Sequence, residues 1–406
     1  MTATEPTAPV EIRLDDGRGV HGFVDEGFGG VLDSFVANFE HRQDVGAGCA
    51  AYLGNRLVVD LWGGIADRRS GRPWTRHSAA VIFSCSKGII AICTYLLVQE
   101  GRIDLDAPIS RYWPEFAANG KAAITVRDAL SHRSGLPAPE VDLALEDVLA
   151  WDPVIHALEG QRPLFRPEEG YFYHAMTYGW IVGEVIRRVT GQTPGRFFRE
   201  RIGDRLGLRT WIGLPPEARA SVAWMEPPLP GEDSEAAREA ARRADANPLI
   251  ERSATMGGAY AFPAAEGFVT FNDPAIQAAE IPGANGISTA ASLARLYAAC
   301  LSPVDGPPLL SAASIADALV VRSAGQSLSG SLDDGARWGT GFQLSSPPTQ
   351  PMLGASSFGH AGAGGQLAFA DAEHGTAIAY LGNQMGGYGD DRARELTAAL
   401  SAAVGA

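Results

Sequence analysis

From Gly88 to Val98 the chain reads GIIAICTYLLV, an uncharged run that turns an apolar side in nearly every direction of a helix. Such a helix has no solvent face and belongs in the middle of a domain, with other elements packed around it. Eleven residues bracketed by Lys87 and Glu100 are too few to cross a bilayer. Gly101 follows as a left-handed stop. A fully wrapped helix needs a chain that can build layers on several sides, and 406 residues suffice for two core-bearing subdomains.

The residues just before this run carry the chemistry. Lysine and arginine together number 33, and only two of these are lysines. One of the two, Lys87, stands three residues after Ser84 in Phe83-Ser84-Cys85-Ser86-Lys87-Gly88. Arginine keeps its proton at neutral pH, whereas a buried lysine can give it up. On the first turn of a helix, positions i and i+3 share a face, so the hydroxyl and the amine meet. A serine beside an amine is an activated nucleophile. The start of a buried helix also offers free N–H groups and a positive dipole end to a developing anion.

Apolar residues make up 46% and charged residues 20% of the chain, as in a soluble globular protein. A net charge of −14 argues against nucleic acid and anionic membrane as partners. Cys49, Cys85, Cys93 and Cys300 show no metal-binding spacing and no CxxC, so they read as free buried thiols of a reducing compartment. The start, MTATEPTAPVEIRLDD, has neither basic residues followed by an apolar run nor a cleavage pattern. The expected location is the cytoplasm.

Along the chain, residues 1–20 read as a loose arm. Leu32, Phe35, Val36 and Phe39 repeat at helical spacing, and the strand-like runs CAAYL and RLVVDLWGG are joined by the tight turn Gly54-Asn55. Residues 86 to about 250 look largely helical, including Thr125–Ser131 and Met176–Val189 with Gly191 as its stop. Residues 231–246 are charged and alanine-rich, as in a solvated helix or surface flap. A capped helix follows over Ser288–Leu301, then strand patterns at Trp338–Leu344, Gln366–Asp371 and Ala377–Leu381, and a closing helix over Asp391–Ala403. This layout predicts an α+β fold: one antiparallel sheet flanked by helices and built from both ends of the chain, residues 1–85 and 283–406, with a mostly helical domain, residues 86–282, inserted between them. Ser84 would then stand at the cleft between the two.

Six segments, FSCSKG, GRIDLDAPISRYWPEF, ITVRDALSHRSGLP, PEEGYFYHAMTYGWIVGEVIRRVTG, GANGISTAASLARLYAACL and GHAGAGGQLAFAD, occur in this order. Together they resemble the serine β-lactamase and penicillin-binding-protein superfamily, in particular the class C-like branch that includes the family VIII carboxylesterases, over about residues 28–400. The resemblance implies that Ser84 is acylated and that Lys87 shares the proton transfers with a tyrosine. Tyr173 fits that tyrosine by its place after Pro167-Glu168-Glu169-Gly170, with Tyr171 and Tyr178 as competitors. A phenol beside an ammonium makes a workable base near neutrality. The oxyanion donors would be the N–H groups of Ser84 and Ala363.

Two positions depart from the family pattern. Its Tyr-x-Asn element ends here in Ala175, and its Lys-Thr-Gly strand reads His360-Ala361-Gly362. Those amide and ammonium groups hold the substrate in β-lactam-processing relatives, so Ala175 and His360 imply a substrate side built differently, with His360 as a donor beside the leaving group, while Gly362 would let the backbone approach the substrate closely. His132 reads as a structural helix-end histidine. No Gly-x-Ser-x-Gly elbow or HExxH occurs, and no Walker or GxGxxG phosphate loop appears where a strand-to-helix turn would need it. The expectation is a serine carboxylesterase acting on a small-molecule ester, with no metal or cofactor. Its rivals are an amide hydrolase of the same fold (β-lactamase, D-amino-acid peptidase or linear-oligoamide hydrolase) and a non-enzymatic binding descendant.

Overall fold

The structure, a computed structural model, describes residues 9–229, 242, 246–259, 271–330, 335–348, 350–387 and 390–406. Apart from Arg242 and Ala246, the charged stretch 231–246 lies outside the described residues.

The hairpin expected at Gly54-Asn55 is present and lies within the main sheet. Strands β1 (Val10–Arg13) and β2 (Gly19–Val24) precede β3 (Gly46–Leu53), β4 (Arg56–Asp67) and the short β5 (Arg72–Pro73). Leu53 pairs with Arg56 across the turn, and Gly54 supplies the positive φ of +61° that a two-residue turn requires. Three two-residue strands, β6 (Ala80–Val81), β7 (Thr210–Trp211) and β8 (Ile287–Ser288), form a separate small sheet in the order β6-β8-β7. The C-terminal strands are β9 (Arg337–Trp338), β10 (Gln343–Leu344), β11 (Ser357–Gly362), β12 (Gln366–Asp371) and β13 (Thr376–Gly382). They join the N-terminal strands in one sheet of order β1-β2-β4-β3-β13-β12-β11-β10-β9, with β5 on β4. The two ends of the chain meet where β3 pairs with β13, Ala50 opposite Ala379 and Cys49 opposite Tyr380.

Side chains of β3 alternate between two cores, as strand geometry requires. Cys49 and Ala51 face helix α1 (Gly29–His41) and the C-terminal helix Arg392–Val404, which pack on each other around Phe35, Phe39, Leu396 and Leu400. Ala50 and Tyr52 face the larger core, which contains helix Ala290–Leu301 and helix α2 (Ser86–Gln99). Eleven of the 14 residues of α2 are buried, from Ser86 through Tyr95 and again at Leu97, so the apolar run is wrapped as its sequence requires. Gly101 ends it with φ +69°. Between α2 and Gly283 the described residues form helices and turns, with β7 as their one strand. No helix among the described residues is long and apolar enough to cross a membrane.

Two local expectations are corrected. The first twenty residues are not a loose arm throughout: Val10–Arg13 pairs with Gly19–Gly22 as the sheet edge. Four residues with a single alternating pair give too short a pattern to read without its partner. The segment Trp338–Leu344 is not one strand but two, β9 and β10, folded back on each other so that Trp338 faces Gln343, with Gly341 at φ +86° in the turn. All four cysteines are free and buried.

Candidate active site

Ser84 sits in a single 3-10 turn, Phe83–Cys85, which runs from β6 directly into α2. Phe83 enters it at φ +44°, a left-handed conformation that a bulky residue holds only where its surroundings enforce it. The i, i+3 spacing then does what the sequence suggests: Lys87 Nζ donates to Ser84 Oγ at 3.1 Å. Lys87 is fully buried, and its other donors go to backbone carbonyls, Ala175 O at 2.7 Å and Gly283 O at 2.8 Å. Ser84 itself is half-buried. Ser86, the other hydroxyl of the motif, is buried and committed: its Oγ donates to Phe83 O at 2.5 Å and accepts from Gly286 N–H at 2.9 Å.

Of the three candidate tyrosines, Tyr173 is the one at the serine, donating to Ser84 Oγ at 2.8 Å. Tyr171 donates to Gly325 O at 2.9 Å, and the Tyr178 hydroxyl lies 3.4 Å from Gly341 O and 3.5 Å from Lys87 O. Three aromatic neighbours fix the Tyr173 ring. Trp338 stacks on it at 5.1 Å, His132 tilts against it at 4.8 Å, and His360 lies 6.1 Å away. Lys87 Nζ is 5.0 Å from the ring centre.

Three histidines close the site's back wall, all buried. His174 donates from Nδ1 to Phe172 O at 2.6 Å, and its Nε2 accepts from Leu136 N–H at 3.2 Å and bonds Ser134 Oγ at 2.8 Å. Burial pushes its pKa down to about 4, with the Lys87 charge acting the same way and the bond to Phe172 opposing. His132, at φ +63°, accepts from His174 N–H at 3.2 Å, and burial holds it well below the usual imidazole range. His360 on β11 donates from Nδ1 to Ala361 O at 2.6 Å, which leaves Nε2 as a bare acceptor with no partner among the described residues. Burial, aided by the Lys87 charge, pushes it down to about 3. The slot that carries an ammonium in the family pattern is therefore neutral here, and its only proton is turned back onto the strand.

Gly362 ends β11 against the serine turn. A Cβ there would come within 2.4 Å of Ile82 O and 3.3 Å of Cys85 Sγ. Ala363 opens the next turn, Ala363–Gly365, directly beyond it. Cys85 Sγ donates to His360 O at 3.0 Å, fastening the two segments together. Ala175 meets Lys87 through its carbonyl, a role open to any residue type. Sequence reasoning missed that carbonyl contact, along with Gly283 O and the Trp338 stack. The GANG segment that begins at Gly283 belongs to the family pattern, but nothing in it announces a lysine seat. Among the described residues no three His, Cys, Asp or Glu side chains converge as a metal site would need.

A family model described as "Beta-lactamase" matches residues 33–403. The chain belongs to the β-lactamase family. It is 35% identical over 384 residues to the esterase/β-lactamase LipL of Mycobacterium tuberculosis, covering 91% of this chain and 84% of that one. The crystal structure of a family VIII carboxylesterase superposes with a TM-score of 0.83 at 33% identity, covering 94% of this chain and 98% of the other. That of a penicillin-binding-protein homologue from Caulobacter crescentus gives 0.79 at 34%, covering 95% and 99%. The motif resemblance and the α+β expectation both hold, and the chain is a serine hydrolase of the β-lactamase fold.

Proposed function

We propose that this β-lactamase-family enzyme is a carboxylesterase for small uncharged esters, working through an acyl-enzyme on Ser84. The observation that carries the reading is the shared hydroxyl: Ser84 Oγ is bonded by Tyr173 and by Lys87 at once. In the reactive form Tyr173 has released its own proton to solvent and stands as a phenolate, whose negative charge the Lys87 ammonium favours; Oγ then attacks the ester carbonyl carbon and its proton crosses to the Tyr173 oxygen. The N–H groups of Ser84 and Ala363 receive the oxyanion. As the C–O bond breaks, Tyr173 returns the proton to the departing alkoxide, which leaves as the alcohol. Water then attacks the acyl-serine by the same route, its proton passing through Tyr173 to Ser84, and the carboxylic acid is released. In this reading the site lies at the boundary between residues 1–85 with 283–406 and residues 86–282, and no step calls on a metal or cofactor.

The preference for esters over β-lactams and peptides is supported by the neutral His360 and by Ala175. A substrate carboxylate finds no cation where the family pattern has lysine, and one charged hydrogen bond is worth about 1.5–3 kcal/mol. An amide also finds no asparagine side chain. The second reading, β-lactam hydrolysis, is favoured by the name of LipL, which carries both activities. The test compares kcat/KM for a short-chain nitrophenyl ester, a D-alanyl dipeptide amide, a linear amide oligomer and nitrocefin. The ester should lead by at least tenfold. A nitrocefin or amide value equal to the ester's overturns the esterase reading. Inertness toward every substrate, with Ser84 unlabelled by a fluorophosphonate, favours a binding protein.

A further inference from the structure

The turn Ala363–Gly365 is expected to carry the second oxyanion donor, yet it is built from residues poorly suited to hold a direction. Gly364 and Gly365 both have positive φ, +78° and +95°. Glycine reaches such conformations easily and leaves them as easily. Something outside the turn has to fix it. On one side Gly362 is pressed against Ile82 O. On the other, a Cβ at Gly364 would strike Met385 at 2.4 Å, and one at Gly365 would strike the Asp390 carboxylate at 2.3 Å.

Behind this turn lies a charged cluster that no part of the proposed mechanism uses. Arg392, the first residue of the C-terminal helix, is 2% exposed. Its Nη2 donates to Gly364 O and to Gln384 O, both at 3.0 Å. Its Nε donates to Asp390 at 2.9 Å, and its Nη1 pairs with buried Asp44, which also accepts from Tyr380 Oη at 2.5 Å. The Arg392 cation and the Asp44 carboxyl are thus withdrawn from water beside the site, with Asp390 partly buried next to them. Burying such a set seldom stabilises a fold more than apolar packing of the same volume would. A guanidinium fork does fix several acceptors in one plane, which an ammonium cannot do.

We propose that Arg392, backed by Asp44 and Asp390, is a positioning residue: it holds the Gly364 carbonyl and thereby aims the Ala363 N–H at the oxyanion. This rests on the acyl-Ser84 reading above. The arrangement ties the catalytic turn to the last helix of the chain, about 30 residues on, and makes that helix part of the reaction's geometry.

The test uses the full-length enzyme with Arg392→Lys, Asp390→Asn and, as a control, Arg394→Lys, whose side chain is 51% exposed on the same helix. Active sites are counted with a fluorophosphonate, so kcat is expressed per titrated serine. Three quantities are read: that kcat, KM for a nitrophenyl ester, and Ki for a boronic acid, which forms a tetrahedral serine adduct. Arg392→Lys should lower kcat per titrated site by about 10- to 100-fold, short of the 10²–10³ that removal of a whole oxyanion donor costs. KM should stay within about twofold and Ki should rise by the same factor as kcat falls, the pattern of an interaction made only in the transition state. Arg394→Lys should match wild type. If Arg392→Lys does not fold, Asp390→Asn carries the test, with a smaller loss of the same pattern. Variants that melt earlier or titrate fewer sites, but keep wild-type kcat and Ki per site, overturn the proposal by reducing the cluster to a structural role. A wild-type enzyme that never labels at Ser84 overturns the acyl-Ser84 reading itself, and this inference with it.

Discussion

The chain has two lysines and buries both, in seats that are alike up to a point. Lys121 Nζ donates to Glu159 O at 3.0 Å and Gln161 O at 2.5 Å, capping the helix Asp152–Gly160 at its negative end. Lys87 Nζ likewise donates to two carbonyls, Ala175 O and Gly283 O. The difference is the third neighbour. Lys121 has the Phe116 ring at 5.6 Å, and Lys87 has the Ser84 hydroxyl. The wider surroundings diverge too. Carboxylates of Glu140 and Glu159 oppose the fall that burial imposes on the Lys121 pKa. Lys87 is ringed by imidazoles that its own charge helps to keep neutral. Scarcity of lysine in this sequence therefore marks burial, not catalysis. In the proposed mechanism, the half-buried Ser84 hydroxyl within reach is what separates the Lys87 amine from the structural cap at Lys121.

Exchanging both lysines for methionine should pull the two roles apart. Lys87→Met should lose about 10³-fold in turnover per folded molecule, within the range for removal of a proton-transfer group. Lys121→Met should keep kcat within about twofold but unfold at lower urea, since it strands the buried Gln161 carbonyl, at about 1–3 kcal/mol, and the part-buried Glu159 carbonyl, at less. Ester turnover and urea melts on the same preparations decide it. If Lys121→Met loses activity per titrated serine, or Lys87→Met keeps it, the comparison fails.

Tyr173 belongs to the Lys87 seat alone, and Tyr173→Phe should lose about a hundredfold in kcat. Added to Lys87→Met it should cost little more, because groups that act as a unit are non-additive. Independent, multiplying losses would mean that the phenol and the amine serve different steps. Near-normal activity in Tyr173→Phe would remove the phenol from the mechanism altogether.

How much of this was legible in advance follows from the range of each interaction. The Ser84–Lys87 contact is local, three residues on one helix face, so spacing alone announces it. The wrapped character of α2 is written in its composition, and the Gly54-Asn55 hairpin in its turn residues. Tyr173 reaches Ser84 across 89 residues and was read from family resemblance; no periodicity separates it from Tyr171 and Tyr178. The Ala175 and Gly283 carbonyls were invisible because backbone acceptors leave no trace in residue type. His360 was expected to donate to the substrate side, but the structure commits its proton to Ala361 O. Tautomer choice depends on a 2.6 Å contact that only the folded strand creates. The β1 edge and the β9–β10 fold-back were missed for the same reason: strands of two to four residues owe their existence to partners.

The glycines beside the two lysines give a smaller contrast. Gly88 lies under the helix Ala290–Leu301, and a Cβ there would sit 2.1 Å from Tyr297 Oη. Gly88→Ala should destabilise by about 2 kcal/mol through overpacking. Tyr297 Oη has no hydrogen-bond partner among the described residues, so Tyr297→Phe in that background should restore most of the loss. Gly120, before Lys121, has open space around it, and Gly120→Ala should cost only its φ of +92°, about 1–2 kcal/mol, with no rescue by Tyr297→Phe. Equal behaviour of the two in urea melts would mean that the tight packing assigned to the Lys87 helix is illusory.

The finest distinction concerns protons. His360 is held near pH 3 and His174 near pH 4 in the folded chain, against about 6.5 when unfolded. Between about pH 4 and 6.5 the unfolded chain therefore binds protons that the folded chain refuses. More protons in the unfolded state means that stability rises with pH through this window and goes flat, from this source, above about pH 7. Each such histidine contributes a slope of about 1.4 kcal/mol per pH unit where it is fully protonated in the unfolded chain only. No histidine faces Lys121 in this way, so the effect should follow the Lys87 wall. His360→Asn should remove about one proton's worth of slope in urea melts at pH 4.5, 5.5, 6.5 and 7.5, with other acid-sensitive groups cancelling in the difference from wild type. A wild-type slope that survives His360→Asn would mean that His360 already takes up its proton in the folded state. The substrate slot would then hold a cation at mildly acidic pH, and the argument from its neutrality to uncharged esters would fall.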